Sequence, residues 1–333
     1  MKRTVITLFL IAAALLTGFG SSCGGGYSGP VESVTVAYSP FESTALLLVA
    51  LDQQFFSRNG LDVTLRKYDT GAGAVDGMVN GEADIAVGIA EYPLVGRAFQ
   101  KEMVRVIANM DKAEFVYLVG RKDRGIEKIA DLKGKRVGTT VGTAAHFYLG
   151  RLLELNSMNI NDITLVDLKT PEEWVNAVAD GDIDAVVTAQ PYANSARDRL
   201  GTNATMLSAQ AGQFLNALVI SSEAWLAQHP GLAERFLQSL AQAEDYLKSH
   251  PAEAKDIVME GLSLDAPYME TVWSQNQFSV SLDQSLILAM EDEARWMISN
   301  KLTSETTVPN FLDYIYVDAL KAVKPEAVKI AGE

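Results

Sequence analysis

The sequence predicts an α/β chain folded as two lobes, each a mostly parallel sheet flanked by helices and joined to the other by two hinge strands. Three observations predict it. Short β-prone runs alternate with helical periodicity up to about residue 220, the pattern of parallel sheets covered by helices on both faces. One part of the chain echoes another at a constant offset: Asp62-Val63-Thr64-Leu65 returns as Asp162-Ile163-Thr164-Leu165, Thr70 as Thr170, and Asn80-Gly81-Glu82-Ala83-Asp84 as Asp180-Gly181-Asp182-Ile183-Asp184. No third copy follows, so the echo means paired lobes and not a solenoid. Finally, two continuous apolar runs, Phe115–Gly120 and Asn216–Ser221, bracket the second copy and read as strands on which the chain crosses between lobes. Lobe 1 is then expected over 31–117 and 218–333, and lobe 2 over 118–217.

In order, Ser33–Ala37 reads as the first strand, closed by Tyr38-Ser39-Pro40-Phe41. Ser43 or Thr44 can cap a helix over Ala45–Phe56, and Gly60 suits its C-terminal cap. Leu61–Tyr68 alternates as a strand, and Thr70-Gly71-Ala72-Gly73 opens a short helix over Val75–Val79. Ile85–Ile89 is a strand. Ala90-Glu91-Tyr92-Pro93 starts the next helix, with Pro93 in its first turn. Val104–Asn109 is a strand. In the second copy Arg136–Thr140, Ile163–Leu168 and Ala185–Thr188 are strands, and Ala144–Asn156 and Pro171–Ala179 are helices. Another helix follows the turn Ala189-Gln190-Pro191-Tyr192. Met206–Ser208 and Leu215–Ser221 are strand-like. Beyond them the chain is mostly helical: Glu223–Gln228, Leu232–Ser249, Ala252–Gly261, Ala266–Phe278 and Ser285–Lys301.

The N-terminus carries a secretion signal over 1–22: the basic pair Lys2-Arg3, an apolar run Val5–Leu16 and small residues ending at Ser21-Ser22. The apolar run is short for a membrane span, and no other segment is long and apolar enough. The single Cys of the chain, Cys23, stands where a lipoprotein leader places its modified cysteine, so a lipid anchor is expected there. Gly20 occupies the position where such leaders usually carry Leu, and ordinary cleavage with free secretion is the other reading. The Gly/Ser-rich stretch over 23–30 reads as a flexible tether.

Composition closes several classes. One Cys excludes a disulfide framework or a multi-Cys metal cluster, and His146, His229 and His250 have no metal-ligand spacing. A net charge of −14 argues against nucleic acid, whose phosphates need clustered Lys and Arg. Neither a Ser/His/Asp set nor a Gly-rich phosphate loop is visible. We expect no cofactor, no metal and no catalytic residue.

The runs Val36–Phe41, Ala50–Phe56, Gly60–Val63, Gly71–Val87, Asp131–Gly138 and Asp180–Tyr192, with the His229-Pro230 and His250-Pro251 helix starts, carry a resemblance. Over nearly the whole mature length the chain resembles the periplasmic substrate-binding proteins of ABC transporters, in the nitrate/sulfonate/taurine and thiamine-precursor family. The resemblance implies a type II periplasmic-binding-protein clamshell and a monomer that hands a small-molecule solute to transporter permease subunits. It would lie in the periplasm or another extracytoplasmic space, tied to the membrane by its lipid. It also implies a pocket built from turns after the lobe strands: Tyr38, Ser39 and Phe41; Gly71 and Ala72; Ala90, Glu91 and Tyr92; Gly142, Thr143 and Ala144; Gln190 and Tyr192.

Physical chemistry agrees with several of these. A strand that ends in a Gly/Thr turn and feeds a helix leaves first-turn N–H groups free for an acceptor or anion, as at Gly142–Ala144. Gln190 can donate and accept, and Tyr38, Phe41, Tyr92 and Tyr192 can form aromatic walls. Asp84 and Asp184 tempt as a catalytic pair, but each follows a Gly-acid turn and reads as a turn cap. His146 can touch ligand or pack in the core. Trp174, Trp225, Trp273 and Trp296 sit at helical positions that suit core packing, and Lys133, Lys135 and Arg136 suit a solvated turn. Glu91 has two readings: it satisfies amides at its own helix start, or it faces the cleft. In the cleft it would repel a sulfonate or nitrate and suit an amine or aminopyrimidine. With no Arg or Lys in the expected turns, the sequence leans toward a cationic, amino-bearing or neutral ligand. Two other functions stay open: a ligand-sensing clamshell for a membrane receptor, and an enzyme like the thiamine-pyrimidine synthases. The enzyme relatives carry a Cys cluster and a cofactor-binding Lys, whereas this chain has its one Cys at residue 23.

Overall fold

The computed structural model describes residues 27–331. The expected leader, Cys23 and most of the expected tether lie outside the described residues. Ten principal strands make two sheets. The first holds β1 (Glu32–Tyr38), β2 (Leu61–Lys67), β3 (Ile85–Ile89), β4 (Val104–Ala113) and β10 (Leu215–Ser222) in the order β2-β1-β3-β10-β4. The second holds β5 (Val116–Arg121), β6 (Arg136–Thr139), β7 (Thr164–Asp167), β8 (Ala185–Ala189) and β9 (Ala204–Ser208) in the order β7-β6-β8-β5-β9. In each sheet three neighbouring strands are parallel and the remaining two pair antiparallel. The chain passes to the second sheet through Glu114-Phe115 and returns through residues 209–214. Each sheet is thus a lobe of an α/β clamshell.

The internal echo is a structural repeat. Asp84 accepts the Thr35 amide at 2.7 Å while its own amide donates to the Thr35 carbonyl at 2.8 Å. Asp184 accepts the Arg136 amide at 2.9 Å and donates to the Arg136 carbonyl at 2.8 Å. Both carboxylates therefore pin the turn before a buried strand to the neighbouring strand, Asp84 at the middle of β1 and Asp184 at the start of β6, which is a structural duty. Thr70 caps α3 (Gly71–Val79) through the Gly73 amide, and Thr170 caps α6 (Pro171–Asp180) through the Glu173 amide.

Local chemistry sets the other elements. The helix expected over Ala45–Phe56 is two pieces, α1 (Ala45–Asp52) and α2 (Phe55–Arg58), because Gln54 turns left-handed at φ 58°. Helix α1 is apolar up to its last residue, Asp52, and is buried against α9 (Pro230–Ser249) and α10 (Pro251–Leu262), with Leu46 and Leu47 fully enclosed. Truncating either to Ala would cost about 2–5 kcal/mol. Strand β4 runs four residues beyond the expected Asn109, because it pairs with β10 as far as Ala113–Leu215. The helix expected over Ala266–Phe278 ends at Val272 in a 3₁₀ turn.

Two helix N-termini meet at the lobe junction: α4 (Glu91–Phe99) from the first lobe and α5 (Ala144–Leu155) from the second. Alongside runs α12 (Gln284–Ser299), which packs on α4 and buries Trp296 with Tyr92 and Phe147. Trp296 was expected in a core, and it is; the core is the one shared by both lobes. Among the described residues no helix is long and apolar enough to cross a membrane.

Candidate functional site

A cavity of about 90 Å³ lies between the lobes at the carboxyl ends of the strands, the place where open parallel sheets bind ligands. It is smaller than the ~150 Å³ that accommodates benzene in an engineered core. The first lobe contributes Phe41, Ser43, Thr70, Gly71, Ala72, Gly88, Ala90 and Pro93. The second contributes Thr140, Thr143, Ala144, Ala145, Trp174 and the end of β8, Val187–Ala189. The two crossings add Phe115, Val116 and Leu215. No acid or base is among these residues.

The N-terminal ends of α3, α4 and α5 all reach this cavity, through Gly71-Ala72, Ala90 and Thr143-Ala144-Ala145. At α5 the capping position is occupied by Thr143, yet its hydroxyl donates to the Thr140 carbonyl at 2.8 Å and caps nothing. The amides of the first turn, with the positive end of the helix dipole, therefore meet the cavity without a side-chain partner. Gly88 lets the wall come this close. Its φ of 74° is left-handed, and a Cβ there would meet Thr44 Cγ2 at 2.6 Å.

Aromatic rings close the opposite side. Phe41 stacks on Phe115 at 6.1 Å and meets Tyr192 edge-on at 6.2 Å, and Tyr192 meets Trp174 edge-on at 5.3 Å. The Trp174 indole N–H donates to Thr140 Oγ1 at 2.9 Å, and that hydroxyl donates to the Leu168 carbonyl at 2.7 Å.

Of the residues expected from sequence, Phe41, Gly71, Ala72, Ala90, Thr143 and Ala144 line the cavity. The others stand back from it. Tyr192 supports Phe41 and Trp174 from behind. Gln190 is buried, with its side chain paired to Asn194 and its amide donating to the Phe115 carbonyl at 2.8 Å. Tyr38 packs on the first-lobe core. Ser39 is fully buried with an unpartnered hydroxyl, and Gly142 is an exposed turn at φ 84°. Tyr92 forms no cavity wall; it stacks on Phe147 at 5.8 Å in the lobe junction.

Glu91 points away from the cleft. Its two carboxylate oxygens take the Asn216 backbone amide and side-chain amide, each at 3.0 Å. Burial pushes its carboxyl up to about 7, opposed by hydrogen bonds that include those from Asn216. Glu293 on α12 is also buried, with Glu91 next in raising it further above the usual carboxylate range. His146 sits in the same junction, edge-on to Trp296 at 5.3 Å, and burial lowers it to about 4. Glu91 therefore does not line the cavity; its carboxylate is held by Asn216 and by its own backbone amide at the start of α4, and the sequence-based lean toward a cationic ligand loses its footing.

The sequence reading missed Thr140 and Thr188. Both stand at carboxyl ends of second-lobe strands, so the strand-end rule could have found them. It also missed Phe115 and Trp174, whose positions fit core packing as well as a cavity wall.

Two lobes of matching sheet order, hinged at two crossings around a cavity at their strand ends, define a periplasmic-binding-protein clamshell. The chain belongs to the NMT1/THI5-like family, whose model matches residues 42–254. It is 28% identical over 230 residues to the taurine-binding periplasmic protein of Escherichia coli, covering 68% of this chain and 69% of that one. It is 26% identical over 224 residues to the 4-amino-5-hydroxymethyl-2-methylpyrimidine phosphate synthase of Aspergillus parasiticus, covering 63% and 64%. In fold it is similar to the alkanesulfonate-binding protein SsuA of Xanthomonas axonopodis pv. citri bound to MOPS. That likeness has a TM-score of 0.75 at 18% identity, over 87% of this chain and all of that one.

Proposed function

We propose that this protein captures a small organic anion of the sulfonate class between its lobes, outside the cytoplasm, and delivers it to an ABC importer. The observation that carries the reading is the convergence of three helix N-termini on one cavity without acids or bases. An anion would accept from the amides of Gly71, Ala72, Ala144 and Ala145 and from hydroxyls such as Ser43 and Thr188. An ammonium group would find no carboxylate there. The apolar side, with Phe41, Phe115, Val116, Trp174 and Leu215, would cover an uncharged tail. Release and uptake would follow from bending at the two crossings.

The lining offers no nucleophile paired with a base, which favours binding over chemistry. The likeness to the taurine-binding protein points the same way. Attachment through Cys23 belongs to this reading as well. Cys23→Ala should move the protein from the membrane fraction to the soluble one; retention in the membrane would rule out the anchor. The anion itself is tested by titrating the protein with ethanesulfonate and with ethylammonium, expecting heat from the first alone.

A further inference from the structure

Trp174 forms part of the second-lobe wall of the cavity. Trp174 is the largest side chain on the lining, and its indole is fixed on two sides, by Thr140 Oγ1 at 2.9 Å and by the Tyr192 ring. Thr140 is itself tied to the Leu168 carbonyl, so the indole rests on a hydrogen-bonded pair that holds its orientation. The ring is 5% exposed. It packs in an apolar cluster with Val119, Leu168, Val178, Ile183 and Val186. A ligand whose tail runs toward the second lobe thus meets a ring held by its neighbours, with apolar side chains packed against it.

We propose that Trp174 is the specificity-determining residue of this site: it sets an upper limit on the length of the ligand's apolar tail and selects short anions over longer homologues. The inference rests on the reading of the cavity as the solute site, and it adds which solutes are excluded and by what. Removing the ring would open the cavity into the apolar cluster. Engineered apolar cavities of this kind stay dry and take up apolar groups. Each further methylene that finds cover there is worth about 0.8 kcal/mol, about a fourfold gain in affinity.

The experiment is a calorimetric titration of the purified protein with linear sulfonates from methane- to hexanesulfonate, and with the matching carboxylates and amines. Wild type should bind best at one to three carbons and fall at least tenfold by hexanesulfonate. Trp174→Ala should raise the affinity for hexanesulfonate relative to methanesulfonate at least tenfold over the wild-type ratio. Trp174→Leu, which keeps more of the core filled, should shift the optimum in the same direction by fewer carbons. It carries the test if the alanine variant does not fold. Thr140→Val, which keeps the ring and removes the bond that holds it, should raise hexanesulfonate affinity by less than Trp174→Ala does. Short-chain binding that survives in either Trp174 variant with no gain for longer tails overturns the limit alone, leaving the site reading standing. If carboxylates or amines are bound in place of sulfonates, the head-group reading fails while the length profile still decides the role of Trp174. Wild type that binds none of the three series overturns both.

Discussion

Asp111 has one carboxylate oxygen committed to the Gln277 amide at 2.8 Å and the other without a partner, in a fully buried site that Glu42 also approaches. Burial pushes its carboxyl up to about 8 from 3.8, with Glu42 adding to the rise and the hydrogen bonds from Gln277 and Lys112 opposing it. The sign follows. The group is protonated in the fold and ionised in the open chain between these values, so stability present below about pH 4 is lost as pH rises through 8. Asp111→Asn keeps an acceptor for Gln277 and removes the charge. Its advantage over wild type in denaturant melts should widen by about 1–3 kcal/mol from pH 4 to pH 9; parallel pH profiles would refute the assignment. Single residues were also where the sequence said least about the site. Glu91 and Trp174 lie at helical positions whose direction depends on tertiary packing, and neither direction can be read from spacing. Thr143 and Ala144 were legible, because a strand that ends in a Gly/Thr turn before a helix fixes its own geometry.

At the scale of elements, Trp296 reaches from α12 so close to α5 that a Cβ at Gly150 would lie 2.0 Å from its Cζ2. Arg151–Asp292 at 3.4 Å adds an ion pair across the same contact. Gly150→Ala should favour the isolated helix by about 1 kcal/mol. In the fold the displaced indole should outweigh that, giving a net loss of about 1–3 kcal/mol that denaturant midpoints can read. Pairing it with Trp296→Leu should restore most of the loss, and an additive double variant would show that the two helices do not meet this way. Strands and helices of the repeat were legible because their periodicity and caps are local. The break at Gln54 and the reach of α12 into the second lobe were not. The first depends on a left-handed residue without Gly or Asn to announce it. The second depends on which of two cores a helical Trp joins, and sequence spacing does not carry that information.

For the whole molecule, the two sheets repeat one strand order, and the constant offset of the internal echo announced that symmetry before any coordinate. Symmetry also explains the cavity: each lobe brings strand ends and helix starts to the same gap, so helix starts from both sides line it. The cavity lining carries no charged side chain, so its electrostatics come from helix ends, which a search of the sequence for Arg or Lys in the turns does not register. The most direct test uses Thr143, the uncapped start of α5. Thr143→Asp would supply the missing cap and so hold or raise stability, while placing a carboxylate where the anion belongs. Calorimetric titration of wild type and this variant with ethanesulfonate and ethylammonium decides the matter. Wild type should bind ethanesulfonate and not ethylammonium, and Thr143→Asp should lose at least a hundredfold in sulfonate affinity with its melting midpoint intact. Binding of ethylammonium by wild type, or undiminished sulfonate binding by the variant, would contradict the sulfonate reading.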